Sequence, residues 1–333
     1  MSNSHYPRDL IGYGAEPPKA NWPGQARIAV QFVLNYEEGG ENCVLHGDSH
    51  SEVFLSDIIG AQAFADRHMS MESLYEYGSR AGAWRILREF RQRGLPLTVF
   101  GVSMAMQRHP DMVRAFIEDG HEIASHYNFH DHISGQDLAT IERNLGLAIE
   151  AIYKACGKEP RGFRAPAFAL PPNADDVYEL IDRHFEYDSS FVLRRPDLET
   201  GEFRNKRPFQ GMGLAEFPIV SQPMLGGRIH LRSGGTFWRL FSRRTMKGVM
   251  DHCHDQGFPP VVYLHPYDYL TDREFWVPLR RFTNVRGFER LLRWFRQNQW
   301  LGFGNRTTLS KLHHITRFYE HQGTMGEGLG TVA

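Results

Sequence analysis

Blocks of hydrophobic residues alternate along this chain with amphipathic stretches, and the alternation predicts a repeated strand–helix order. Short apolar runs rich in β-branched and aromatic residues have the length of buried strands, and longer stretches carry apolar residues at helical spacing. We predict strands near 28–34, 96–101, 121–126, 161–166, 185–188, 214–220 and 260–265, and helices near 53–64, 81–93, 110–119, 136–156, 173–183, 244–256 and 288–297. This order favours an α/β fold with a parallel sheet, most simply a (β/α) barrel.

The chain shows neither an internal repeat nor a linker that would divide it. Residues 1–25 are rich in Pro, Gly and Asn, which predicts an extended N-terminal arm, and residues 313–333 are predicted to be a polar C-terminal tail. A chain of 333 residues is long enough for one large α/β domain, which we expect over residues 26–312.

Composition narrows the classes of function. With 38 Lys and Arg against 39 Asp and Glu, the formal net charge is −1, and nothing in this balance favours nucleic acid as a partner. The three cysteines, Cys43, Cys156 and Cys253, are far apart and predict neither a disulfide framework nor a cysteine zinc site. The first residues lack a signal-peptide pattern and no apolar run is long enough to span a membrane, so we expect a cytoplasmic protein.

Two predicted strands end in residues that could hold a metal ion. The first runs directly into Glu37 and Glu38, and carboxylates at the end of a buried strand are costly unless they are solvated, paired or bound to a cation. The third is followed by His126 and His130, which would share a face on one helical turn, a common way to bind a divalent metal. Taken alone, a solvated acid pair and a chance histidine pair explain these residues as well.

Two further strand ends carry Arg164, with Pro166 two residues later, and His265. Arginine can orient a carboxylate through paired hydrogen bonds, and histidine is suited to proton transfer near neutral pH. A surface arginine and a core histidine are the plain structural alternatives. Parallel strands end at one edge of a sheet, so the four motifs in order predict one shared site.

The ordered set resembles the polysaccharide deacetylase family (NodB homology, carbohydrate esterase family 4), which implies a distorted (β/α)7 barrel with one metal ion. Asn35–Gly39 falls on the family motif Thr-Phe-Asp-Asp-Gly, and the other three strand ends match its His-x3-His, Arg-x-Pro and Leu-His elements. The resemblance implies Glu37 as the base that activates water, Arg164 as its orienting partner, His265 as the general acid, and Glu38, His126 and His130 as ligands of a divalent ion, most simply zinc. We expect the substrate to be contacted by Tyr36, Tyr127, Pro166, Phe168 and Tyr267.

The sequence departs from the family motifs at several of these positions. Glu37 and Glu38 replace two aspartates, and Tyr127 replaces a small hydroxyl residue. A different register of the first motif would place Asn35 on the base position, where an amide cannot accept a proton.

Two subfamilies are represented in the chain. Residues 1–125, including Asn35–Glu41 and Arg67–Gly82, closely resemble bacterial allantoinases regarded as metal-independent, whereas residues 126–333, including Ser233–Phe241, resemble surface-polysaccharide deacetylases. We therefore predict a hydrolase of non-peptide C–N bonds, a metal-dependent sugar N-deacetylase, with a metal-free allantoinase-type cyclic amidase as the alternative and a non-catalytic binding protein as a third possibility. The expected partners are a small-molecule or glycan amide and other copies of the chain in a homo-oligomer.

Overall fold

The computed structural model describes residues 30–56, 61–130, 132–170, 175–193, 213–256, 258–269, 276–299, 302–319 and 323–332. The predicted N-terminal arm, residues 1–25, lies outside the described residues. None of the helices in these ranges has the length and apolar character needed to cross a membrane.

A curled, parallel, seven-stranded sheet forms the centre of the protein. The strands are β1 Gln31–Tyr36, β2 Thr98–Gly101, β3 Glu122–Ser125, β4 Gly162–Phe163, β5 Tyr187–Asp188, β6 Val192–Leu193, β7 Ala215–Glu216, β8 Ile219–Val220, β9 Gln222–Met224, β10 Ile229–Leu231 and β11 Val261–Leu264. The main sheet has the order β11-β1-β2-β3-β4-β5-β7, and β6 with β8 and β9 with β10 form two small additional sheets. The predicted (β/α) barrel is therefore confirmed as a half-barrel of seven parallel strands.

Helices flank this sheet, most of them on its convex face; among those of the described residues, six have bounds within two residues of the prediction and five were not predicted. The helices are α1 Met69–Tyr77, α2 Ala83–Arg93, α3 Ser103–Arg108, α4 Pro110–Glu118, α5 Leu138–Cys156, α6 Asp175–His184, α7 Gly235–Leu240, α8 Arg243–Asp255, α9 Gly287–Asn298, α10 Asn305–Ile315 and α11 Met325–Val332. The ends of α5 show why the sequence signals work. The Asp137 side chain accepts a hydrogen bond from Thr140 N at its start, and Gly157 takes a left-handed conformation at its end.

Three predicted segments differ from the structure. The single strand expected over 214–220 is divided into β7 and β8, which belong to different sheets. The helix expected near 53–64 is absent from the described residues of that range, where the Glu52 carboxylate instead accepts hydrogen bonds from the backbone N–H groups of Val53 and Phe54 and favours a turn. The segment expected to be a loose polar tail contains α11, which packs against the ends of the sheet where β2 and β3 begin. The backbone N–H of Gly326 donates to the Glu122 carboxylate at 2.9 Å, and glycine permits this close approach.

The side chains of β1 alternate between two packing layers. Phe32, Leu34 and Tyr36 belong to the cluster between the sheet and the outer helices, whereas Val33 belongs to the cluster on the concave side. This two-residue period decides which polar groups reach the concave side when the strand ends.

Candidate active site

The alternation of β1 directs Asn35 and Glu37 to the concave side of the sheet. Tyr36 and Glu38 point the other way, toward the helices. The Tyr36 hydroxyl lies 3.0 Å from Ser79 Oγ, and a Cβ atom added to Gly78 would lie 2.6 Å from Glu38 Oε1. The contacts therefore separate the two glutamates: Glu37 lies beside His126 and His130, and Glu38 lies against Gly78.

A cluster of three buried or partly buried groups forms where β1 and β3 end. Glu37 Oε1 lies 3.3 Å from His126 Nε2, Glu37 Oε2 lies 3.6 Å from His130 Nε2, and the three ligand atoms lie within 4.8 Å of one another. The structure thus brings the two predicted histidine ligands together with Glu37, whereas the expectation placed Glu38 with them. Glu38 Oε2 instead accepts a hydrogen bond from the backbone N–H of Glu37.

The tautomer of His126 indicates what the cluster can bind. Its Nδ1 lies 2.7 Å from the carbonyl oxygen of Arg164, which can only accept, so Nδ1 carries the proton. Burial lowers the pKa of His126, which leaves Nε2 as a bare lone pair facing the Glu37 carboxylate. Two lone pairs in this position repel each other unless a proton or a metal ion lies between them.

These donors fit the divalent ion that the family resemblance implies. Two ligands about 2.1 Å from one tetrahedral zinc ion lie about 3.4 Å apart, close to the separations in the cluster, and two histidines with one glutamate are a known catalytic zinc set. Burial would raise the pKa of Glu37, but His130 and His265 lower it far below its ordinary value, so Glu37 is ionised. The backbone carbonyl that fixes the His126 ring is also typical of metal ligands.

Arg164 is fully buried and contacts Asn35, not Glu37. Its Nη1 donates to Asn35 Oδ1 at 2.9 Å, and its other nitrogens donate to the carbonyl and hydroxyl of Ser189. Burial lowers the pKa of Arg164 to about 10. In this site, therefore, an amide occupies the position beside the arginine where the resemblance implies a catalytic carboxylate.

His265 faces the cluster from the end of β11. Its Nε2 lies 3.6 Å from Glu37 Oε1 and 3.4 Å from the Asn35 amide nitrogen, and its Nδ1 lies 3.6 Å from Asp268 Oδ2. The amide donates to Nε2, so the imidazole proton belongs on Nδ1, toward Asp268. Burial would lower the pKa of His265, but Glu37 and Asp268 raise it above its ordinary value.

The five residues expected to contact substrate occupy different positions. The Tyr267 ring stacks on His265 at 4.8 Å between centroids, and Phe168 lies 5.3 Å from the Arg164 guanidinium. Pro166 is buried two residues before Phe168, at the start of a short 3-10 turn. Tyr36 faces the helices, and the Tyr127 hydroxyl donates to Gln136 Oε1 at 2.7 Å, so both phenols bond within the protein.

Sequence reasoning passed over one buried cation near the site. Arg239 is 2% exposed, and its Nε lies 2.9 Å from Asp268 Oδ1. The signal was present in the segment Phe237–Phe241, where an arginine interrupts an aromatic and aliphatic run. A charged residue in such a run is rarely buried without a partner.

In comparisons with known proteins, two consecutive parts of the chain match two different family models. Residues 67–183 match the model for polysaccharide deacetylase, and residues 192–303 match a domain of unknown function (DUF3473). A "Putative polysaccharide deacetylase" of Schizosaccharomyces pombe is 39% identical over 152 residues, which are 44% of this chain and 47% of that protein. The peptidoglycan deacetylase of Helicobacter pylori is 26% identical over 117 residues, 35% of this chain and 39% of that protein. The chain thus spans less than half the length of these curated relatives.

Two solved structures resemble the whole chain. The allantoinase Puue is 33% identical, and the match covers 94% of this chain and 99% of that one with a TM-score of 0.58. A "probable Polysaccharide deacetylase" from Pseudomonas aeruginosa is also 33% identical, with 95% and 100% covered and a TM-score of 0.58. Both therefore share this fold over nearly their full length.

Proposed function

The chain belongs to the polysaccharide deacetylase family, whose members are hydrolases of non-peptide C–N bonds, and we propose that it removes the acetyl group from an acetamido sugar with one divalent ion. The observation that carries the proposal is the cluster of Glu37, His126 and His130, in which a bare imidazole nitrogen faces an ionised carboxylate. The proposal assigns Glu37, in place of Glu38, to the ligand set.

A divalent ion held by these three side chains would polarise the amide carbonyl and lower the pKa of a bound water molecule. The protein contributes the geometry around it. The carbonyl of Arg164 orients the His126 ring, and the buried guanidinium of Arg164 holds the Asn35 side chain toward His265. Preorganised polar groups of this kind stabilise developing charge without reorganisation during the reaction.

Proton transfer falls to His265, because the Asn35 amide cannot accept a proton. His265 Nε2 takes a proton from water as the water oxygen forms a bond to the acetyl carbon. The same nitrogen then returns the proton to the amide nitrogen as the C–N bond breaks, which gives acetate and an amino sugar. Asp268 lies 3.6 Å from Nδ1 and stabilises the imidazolium formed between the two transfers.

Metal content and acetate release, measured on the same preparations, test this proposal. We expect about one equivalent of divalent metal in the wild-type protein by elemental mass spectrometry, and its loss in Glu37→Gln and His126→Ala. Glu38→Gln is the matched control, since it replaces the neighbouring carboxyl group, which lies against Gly78 and away from the histidines, and should keep the metal. Acetate release from acetylated glucosamine oligomers should fall at least about 100-fold in the two ligand variants. Full metal content in Glu37→Gln would refute the ligand assignment.

A cyclic amide such as allantoin is the second candidate substrate. Asn35 in place of a catalytic carboxylate and the 33% identity to an allantoinase over 94% of the chain support it. Ring opening of allantoin that persists in the presence of a chelator, and in His126→Ala, would favour this activity over deacetylation. Acetate release that requires metal would exclude it as the main activity.

A further inference from the structure

We propose that Arg239 is a positioning residue for proton transfer, which holds Asp268 and through it fixes the tautomer and orientation of His265. This inference rests on the proposed function of His265. It also gives a role to the region matched by the domain of unknown function, because all three residues lie within 192–303.

The Asp268 carboxylate connects the arginine to the imidazole. Its Oδ1 lies 2.9 Å from Arg239 Nε, and both side chains are 1% exposed. Its Oδ2 accepts a hydrogen bond from the backbone N–H of His265 at 2.9 Å and lies 3.6 Å from Nδ1 of the same residue. A carboxylate removed from water in this way is costly without a cation, and Arg239 supplies one in direct contact.

Arg239 is itself held between the end of α9 and the start of α10. Its Nη1 donates to the carbonyl of Gln299 at 2.6 Å and to Asn305 Oδ1 at 3.1 Å. Asn305 Nδ2 donates in turn to the carbonyl of Tyr267, the residue whose ring stacks on His265. These hydrogen bonds fix the orientation of the guanidinium, and the guanidinium in turn fixes the Asp268 carboxylate that it contacts.

This arrangement determines which nitrogen of His265 can take a proton from water. The Asn35 amide donates to Nε2, so Nδ1 carries the proton and faces Asp268. Without Arg239, Asp268 becomes an unpaired buried charge, which either takes a proton or draws the imidazole toward itself. Either change moves the Nε2 lone pair away from the reacting atoms. Since Arg239 and Asp268 lie behind His265 and are shielded from solvent, substrate binding should change little.

Kinetics of Arg239→Met compared with Lys311→Met test the proposal. Lys311 Nζ donates to the carbonyls of Trp238 and Arg239, so it supports the same helix without contacting Asp268. We expect Arg239→Met to lower kcat about 10- to 100-fold, as for other outer residues that orient catalytic groups, with KM within about twofold and the metal content unchanged. Lys311→Met should keep kcat within about twofold, and Arg239→Met should add nothing in an Asp268→Asn background. Equal losses in the two methionine variants, or additive losses with Asp268→Asn, would overturn the proposal.

A second measurement is independent of turnover. In ¹⁵N-labelled protein, the imidazole signals of His265, assigned by their loss in His265→Gln, should show the Nδ1-protonated tautomer, and Arg239→Met should change it. An unchanged tautomer in Arg239→Met would refute the positioning role, even if the substrate proposal fails and no turnover is found. Arg239→Gln keeps hydrogen-bond donors without the charge and replaces the methionine variant if that protein does not fold.

Discussion

The variant Asn35→Asp replaces an amide at the centre of the site by a carboxylate of nearly the same shape. In the wild-type protein, Asn35 Oδ1 accepts from Arg164 Nη1 at 2.9 Å, and Nδ2 lies 3.4 Å from His265 Nε2. Asn35→Asp would therefore place an anion between a buried guanidinium and the proposed proton-transfer residue. It would also supply the proton acceptor that the family motif has in its first strand end.

The structure sets the size of the expected effects. Burial lowers the pKa of Arg164 from 12.5 to about 10, so the folded protein disfavours the charged guanidinium by about 3 kcal/mol, at about 1.4 kcal/mol per pKa unit. A charge-assisted hydrogen bond is worth about 1.5–3 kcal/mol and would offset much of this cost. The new carboxylate loses hydration and is repelled by Glu37, so we expect the free energy of unfolding to change by no more than about 1 kcal/mol. An added base should nevertheless raise kcat for acetate release about tenfold, less than the roughly 10²–10⁴-fold usual for general-base catalysis because His265 already accepts the proton.

The assay is acetate release at saturating substrate, with urea unfolding of the same preparations. Asn144→Asp is the matched control, because Asn144 is buried and hydrogen-bonded to Asn128 and has no contact with the cluster. A lower kcat in Asn35→Asp with unchanged stability would refute the reasoning. It would mean that the amide itself serves the reaction, as a donor to the substrate carbonyl, and would strengthen the case for a cyclic amide.

Three further predictions concern the scaffold. Gly82→Ala should lower the free energy of unfolding by about 2–4 kcal/mol, because the new Cβ would lie 2.2 Å from the carbonyl oxygen of Pro266. Gly146 has open space around it, so Gly146→Ala should raise the free energy of unfolding by about 0.5–1 kcal/mol in the same thermal melts. Burial lowers the pKa of Lys311 to about 8, so the unfolded chain binds the proton more tightly and stability should rise from pH 8 to 10 by up to about 2 kcal/mol, a slope that urea unfolding should not find in Lys311→Met. Burial raises the pKa of the Cys253 thiol to about 12, so iodoacetamide at pH 8 should modify it only after unfolding, and mass-spectrometric detection in the native protein would contradict this burial.

The sheet could be predicted from sequence because each of its strands leaves a local signal. Runs such as 28–34 and 260–264 are almost entirely apolar, with Gln31 as the exception, as expected for parallel strands covered on both faces. The helix wrongly expected near 53–64 and the docked helix α11 depended on contacts that local pattern does not contain. Glu52 caps a turn through its side chain, and Gly326 allows α11 to approach Glu122.

The site was predictable in its histidines and less so in its acids. His126 and His130 keep the family spacing, so their positions could be transferred directly. The two glutamates could not be separated by matching motifs, because the match compares residues in order and carries no information on which side of the strand each one faces. Applying the two-residue period from Val33, which faces the concave side, gives Asn35 and Glu37 as the inward residues. The two-residue period holds only while the chain stays extended, and β1 ends at Tyr36, so the contacts of Glu37 had to come from the structure.

The site combines residues from three stretches of the chain, and two of these stretches match different family models. The imidazole ligands and Arg164 lie in the segment matched by the polysaccharide deacetylase model, whereas His265 lies in the segment matched by the domain of unknown function. Glu37 and Asn35 precede both. Relatives that share only the middle segment can therefore share the histidines without sharing the proton-transfer machinery. With Asn35 beside Arg164, a metal ion must supply the activation of water that a first-strand base would otherwise provide, or the substrate must be an amide reactive enough for His265 alone. Metal content separates these two cases. The Asn35→Asp variant tests the same distinction by adding the missing carboxylate beside Arg164.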